Sequence, residues 1–215
     1  MARNKHPEET IEKILDIAHV LFLQKGYDQT SIQDIVQALN MSKGAIYHHF
    51  RSKEDILVRM LERDYEKHSE QVKILLANAS YTGLEKVRNL LHWELTSPML
   101  REQAKLIGPI LQNPRMIVQE LYNLIEYGTP QLCALIEQGN QDGSLKVKFP
   151  YETAETLELL FNLIFYPQLI RFSRCEFISR ILFLQELCEK LGLPVVDDAL
   201  RAEFVAYYDA VYPEI

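Results

Sequence analysis

Lys43, Gly44, Tyr47 and His48 are the residues of this chain whose types and spacing could do chemistry together. Lys43 and Tyr47 are four apart, as are Gly44 and His48, so on a helix they share a face. Ile46 and Phe50, also four apart, then turn inward on the opposite side. An ammonium, a stretch of bare backbone, a phenol and an imidazole presented together suit a polyanionic groove. The lysine can contact phosphate, and Tyr47 and His48 can donate to phosphate oxygens or touch base edges. Gly44 costs roughly 1 kcal/mol against alanine inside a helix, and its use would be to let the backbone approach a nucleic acid closely. Ala45 can offer only a methyl group. His49 borders the Ile46/Phe50 side, so burial competes there with a phosphate contact.

The elements that must hold these residues are legible in the stretch TSIQDIVQALNMSKGAIYHHFRSK, Thr30 to Lys53. Thr30 with Gln33 and Ser31 with Asp34 both have capping-box spacing, so a helix begins at Thr30 or Ser31. Ile32, Ile35, Val36 and Leu39 give it one buried face, and Gln33 on its outer side could reach a base. Asn40 and Met41 break the pattern. Ser42 caps the next helix and Ser52 the one after, with Lys53 placed to meet the DNA backbone. Thr30, Ser31 and Ser42 are explained as caps, and helix N-termini facing phosphate would make them contacts as well. An earlier amphipathic helix, Glu8 to Lys25, ends at Gly26 and is scaffold. Residues 1–7, with Arg3, Lys5 and His6, read as a loose basic arm. The whole is a helix-turn-helix.

GYDQTSIQDIVQALNMSKGAIYHHFRSKEDIL, from Gly26 to Leu57, closely resembles the N-terminal DNA-binding domain of TetR-family transcriptional regulators, most specifically in Lys43-Gly44, Tyr47, His49-Phe50 and Lys53. The resemblance covers about the first quarter of the chain; the rest matches only in length and helical character. It implies an all-α homodimer with a three-helix DNA-binding domain followed by a larger helical effector-binding and dimerisation domain. It also implies a repressor that leaves a pseudo-palindromic double-stranded operator when a small molecule binds, and a connecting helix that carries the signal. An activator, or an adaptor that no longer reads DNA, are the alternatives. The expected division is residues 1–53 and 54–215.

Charge agrees once the chain is divided. The net charge is −7, but residues 1–53 hold 7 basic and 6 acidic residues, and residues 54–215 hold 16 and 24. The acidity lies outside the DNA-binding end, whose weak positive field leaves recognition to local geometry. Cys133, Cys175 and Cys188, an odd number without CxxC spacing, read as reduced core thiols rather than disulfides or a zinc site. The notable uncharged run from Leu159 to Ile170 is too short to span a membrane, so a soluble, cytoplasmic protein is expected, with no cofactor.

From Tyr81 onward the pattern is helical throughout, with a loop around Gly139 and Gly143 and a helix opened by Pro150. His92, Trp93, Tyr122, Tyr127, Phe161 and Phe165 are the candidate effector pocket, an aromatic and polar mixture suited to an apolar or aromatic ligand; ordinary core packing is the competing explanation of each. Helices over Thr156–Ile170 and Phe177–Leu191 are apolar around more than one face. Leu160, Ile164, Ile178, Ile181 and Leu184 are therefore the candidate dimer interface. An enzyme is not expected: His92 and Glu94, two apart, do not face the same way, and no HxxxH pair, GxSxG, P-loop or GxGxxG is present.

Overall fold

The computed structural model describes residues 7–110, 114–164 and 172–212, and the basic arm, Phe165 and Pro167 lie outside them. Among the described residues every regular element is helical: α1 (Pro7–Lys25), α2 (Ile32–Leu39), α3 (Lys43–Tyr47), α4 (Lys53–Ala77), α5 (Gly83–Thr96), α6 (Pro98–Ile110), α7 (Pro114–Asn123), α8 (Thr129–Asp142), α9 (Pro150–Leu159), α10 (Arg174–Lys190) and α11 (Asp198–Val211). None of them is long and apolar enough to cross a membrane.

The chain divides into two compact units between Lys67 and His68, inside α4, rather than after Lys53. The physical reason is that the first half of α4 completes the first unit's core. Ile56, Leu57 and Met60 are buried, as are Ile14, Leu15, Ala18 and Phe22 of α1, Ile35 and Val36 of α2, and Ile46 and Phe50. Arg63 of α4 ties back to α1 through Glu12 (2.9 Å) and Asp16 (2.8 Å). Arg63 is thereby drawn against α1 and largely out of solvent.

The second unit packs α5 to α11 and the end of α4 around one core that includes Val72, Leu90, Leu135, Leu157, Leu184 and Phe204. Within it α5 and α8 cross backbone to backbone. A Cβ on Gly83 would lie 2.1 Å from the Gly139 nitrogen, so this crossing admits no side chain. Cys133 and Cys188 are buried, whereas Cys175 is exposed in the first turn of α10.

Two π-helical turns interrupt what periodicity reads as continuous helix, at Leu124–Gly128 and Leu160–Ile164. The first has an identifiable cause. Pro130 has no N–H for the Glu126 carbonyl and its ring would crowd it, so the helix widens one turn earlier. Thr129 closes the gap by donating both its backbone N–H and its hydroxyl to the Leu124 carbonyl, the latter at 3.1 Å.

Candidate nucleic-acid interface and interior polar seam

The helix-turn-helix is built from caps. Ser31 caps α2: its Oγ accepts from the Asp34 N–H at 3.2 Å, and the Asp34 carboxylate accepts from the Ser31 N–H at 2.8 Å. The Lys25 ammonium (2.7 Å) and the Ser31 donors hold that carboxyl well below the ordinary aspartate range. Asn40 ends α2 in the left-handed region at φ 52°, a conformation asparagine tolerates better than most residues. Ser42 then caps α3, its Oγ accepting from the Ala45 N–H at 3.2 Å.

The result is the outward face that the spacing predicts. Ile46 and Phe50 are buried, while Lys43, Gly44, Tyr47 and His48 are exposed. The Lys43 ammonium stands 5.7 Å from the centre of the Tyr47 ring. A Cβ built on Gly44 meets nothing within 4 Å, so nothing among the described residues requires a glycine there. Gln33 is also exposed, and His49 is half-buried with its ring edge-on to His48 at 5.0 Å.

Two expected contacts, Thr30 and Lys53, are placed differently, and Ser31 is placed as expected. Thr30 is buried, and its hydroxyl donates to the Leu21 and Gly26 carbonyls; it closes α1 instead of facing phosphate. Ser31 is the exposed cap that the spacing predicts, its hydroxyl also donating to Asp34 at 2.6 Å. The Lys53 ammonium turns inward, donating to the Tyr27 carbonyl at 2.6 Å and the Asp28 carbonyl at 3.3 Å, 4.2 Å from the Tyr27 ring centre. As placed, it holds the loop between α1 and α2.

Comparison with known proteins bears directly on this unit. Residues 14–60 match the family model described as "Bacterial regulatory proteins, tetR family". The first unit therefore carries a TetR-family DNA-binding domain. The chain is 27% identical over 145 residues to the HTH-type transcriptional repressor NemR of Escherichia coli K12, a match covering 65% of this chain and 72% of that one. It is 30% identical over 135 residues to the transcriptional regulator AcrR of Shigella flexneri, 62% of each chain. A TetR-family regulator from Pectobacterium atrosepticum superposes with a TM-score of 0.66 over 89% of this chain and 98% of its own; at 19% identity this likeness shows the fold alone.

The expected effector residues differ in exposure. His92 is exposed and paired with Glu203 at 2.8 Å, and Tyr122 and Tyr127 are more than half exposed. Trp93 and Phe161 are partly buried against the core. Phe165 lies outside the described residues. Beside Trp93, however, the second unit holds a polar seam that spacing does not reveal. His68 of α4 meets Glu94 of α5 through Nε2 at 2.7 Å, and its ring lies 5.6 Å from the Trp93 ring. Ser69 accepts from the Gln131 amide of α8 at 2.6 Å.

Glu158 of α9 faces this seam. Burial first, then the negative charge of Glu94, pushes its carboxyl up to about 8. Asn162 donates to it at 3.0 Å, and Gly128 lets it lie against the π turn, where a Cβ would come within 3.0 Å of the carboxyl. Burial alone would lower the His68 imidazole, but the hydrogen bond and charge of Glu94 outweigh it and raise the group.

The apolar interface residues are placed selectively. Ile181 and Leu184 are buried in the second unit's own core, and Leu160 and Ile178 are half-buried. The Ile164 side chain lies outside the described residues. The exposed apolar side chains of α10 are Leu182 (48%) and Phe183 (59%), since the core occupies the neighbouring stripe.

Proposed function

We propose that this chain is a cytoplasmic, homodimeric, non-enzymatic repressor that occupies a pseudo-palindromic duplex operator and changes its hold on DNA when residues 68–215 take up a small molecule. The observation that carries the reading is the outer face of α3, where Lys43, Tyr47 and His48 stand exposed around a glycine with open space above it. That is the arrangement a recognition helix needs in order to enter a major groove. The TetR-family domain of the first unit supports DNA binding, and the NemR relative is itself named a repressor. Dimerisation would supply one such helix to each half-site, and Leu182 and Phe183 of α10 are exposed apolar side chains able to support it.

Selection of the full-length protein against random duplex DNA over a salt series tests the reading. An inverted repeat should be enriched, its affinity falling with salt by about 0.9 in log–log slope per neutralised phosphate, and Tyr47→Ala should lose the enrichment. Protein unfolded, dialysed free of small molecules and refolded that still enriched no sequence would refute it.

A further inference from the structure

Most lysines and arginines of the first unit are already engaged within the chain. Lys25 pairs with Asp34 at 2.7 Å, Arg59 with Glu62 at 2.9 Å, and Arg63 with Glu12 and Asp16. Lys53 donates to the Tyr27 and Asp28 carbonyls and lies over the Tyr27 ring, and Lys67 is not free either. Among the described residues of this unit, Lys13, Lys43 and Arg51 are the cations whose side chains have neither a hydrogen bond nor an ion pair. Lys13 stands on α1 with Glu9 four residues before it and Asp16 three after, so acids share its face. The charge that remains for a polyanion is Lys43 and Arg51.

Arg51 comes directly after the recognition helix. The chain keeps a helical course as far as Phe50, whose N–H donates to the Ile46 carbonyl at 2.9 Å and whose ring is buried. Arg51 then opens the turn into α4 and is exposed. Its backbone N–H donates to the Asp55 carboxylate at 2.8 Å, and the Ser52 hydroxyl accepts from the Asp55 N–H at 3.1 Å. The first turn of α4 therefore fixes the backbone at Arg51 and leaves its guanidinium unused. Helical rise carries the chain about 12 Å from Lys43 to Arg51, close to the width of a major groove, about 12 Å. The two free cations thus stand at opposite ends of the exposed face formed by Gly44, Tyr47 and His48.

We propose that Arg51 is a DNA-phosphate contact. Lys43 and Arg51 hold the recognition helix by the phosphates on the two sides of the groove, while Lys53 stays within the protein. This rests on the reading that α3 enters a major groove. Spacing alone puts the phosphate contact after α3 on Lys53, but the fold commits that charge to the loop before α2. A guanidinium takes phosphate oxygens through two parallel N–H donors, and base reading is left to the residues of α3.

Anisotropy titration of a labelled mixed-sequence duplex with the full-length protein, between about 50 and about 200 mM salt, tests the proposal, because the phosphate contribution does not depend on sequence. Arg51→Ala should flatten the log–log salt slope by about 0.9, so the wild-type advantage shrinks about threefold across that range. Arg51→Lys should keep the slope, and Lys43→Ala combined with Arg51→Ala should lower it by about 1.8. The melting temperature of Arg51→Ala should match wild type, since the side chain it removes has no partner in the fold. Lys53→Ala should show the reverse pattern, a full slope and a lower melting temperature.

A wild-type slope in Arg51→Ala, from a protein that binds duplex steeply, would overturn the assignment and leave the DNA-binding reading standing. Equal flattening in Arg51→Lys and Arg51→Ala would show that the guanidinium serves shape and not charge, which also overturns it. Flattening in Lys53→Ala would show that this ammonium leaves the Tyr27 and Asp28 carbonyls for DNA. Wild type that bound no duplex even at about 20 mM salt would sink both readings together.

Discussion

Gly44→Ala should strengthen the protein and weaken its hold on DNA, and the opposition of those two signs is what makes the substitution diagnostic. Gly44 lies in the first turn of α3 at an exposed position, and an added Cβ meets nothing within 4 Å. Alanine therefore gains helix propensity and loses unfolded-state entropy without a clash, worth about 0.5–1 kcal/mol. For a chain of this size that raises the melting temperature by roughly 1–4 °C. If the open space above Gly44 is where a phosphate or base edge arrives, the methyl group forces the recognition helix outward and lengthens hydrogen bonds made by its neighbours. Loss of one charge-assisted bond costs about 1.5–3 kcal/mol, a fall in affinity of roughly tenfold to a hundredfold. Fluorescence anisotropy with a labelled operator at fixed salt, alongside thermal unfolding of the same preparation, reads both effects. A higher melting temperature with unchanged or tighter DNA binding would refute the placement of α3 against DNA. A fall in both would mean that the glycine serves the fold.

Lys43→Ala should flatten the log–log salt dependence of operator binding by about 0.9, one phosphate; Lys53→Ala should leave that slope intact and lower stability by about 1–3 kcal/mol, because its ammonium is engaged by the Tyr27 and Asp28 carbonyls. Gly83→Ala, which drives a Cβ to 2.1 Å from the Gly139 backbone, should cost about 3 kcal/mol or more, read as a lower urea midpoint. Phe183→Glu, on the exposed side of α10, should yield folded monomers in sedimentation velocity; a variant that stays dimeric places the interface elsewhere. Stability should fall as pH rises from about 4.5 to about 8, because folded Glu158 keeps its proton up to about 8 while the unfolded chain loses it near 4.3. His68, raised in the fold, contributes stability below about 6.5 that is lost in the same direction. Urea titrations at several pH values should show that decline, and Glu158→Gln should remove most of it.

Much of the first unit was legible because its signals are local. Serine caps, a turn at Asn40 and Ile/Phe pairs four apart are each decided within a few residues, and they fix the outward face of α3. Local spacing does not say where a long side chain goes when a distant loop offers it a partner. Lys53 crosses to Tyr27, and Arg63 to Glu12 and Asp16. Spacing also cannot phase a helix that is apolar all round, so Ile181 and Leu184 of α10 are core while Leu182 and Phe183 face outward. The polar seam is drawn from α4, α5, α8 and α9, and no short motif unites them. The one sign available in sequence was Glu158 itself, a lone carboxylate inside the apolar run LELLFNLI.

These long-range ties converge on α4. Lys53 and Arg63 fasten it within the first unit; His68, Ser69 and the Leu76 carbonyl, which accepts from the buried Lys86 ammonium at 3.1 Å, fasten it within the second. A ligand shifts an equilibrium only by the difference in its affinity for the two states. A hundredfold loss of DNA affinity therefore asks for about 2.7 kcal/mol of coupling. Breaking the His68–Glu94 hydrogen bond exchanges a charge-assisted contact of about 1.5–3 kcal/mol, less what solvent screening removes from the third-exposed Glu94 side chain. Only at the upper end of that range is this one contact of the required size. A variant lacking the imidazole, His68→Gln, should therefore bind operator about tenfold or more weaker than wild type. A His68→Gln protein that bound DNA as tightly as wild type would show that α4 is set by its other fastenings.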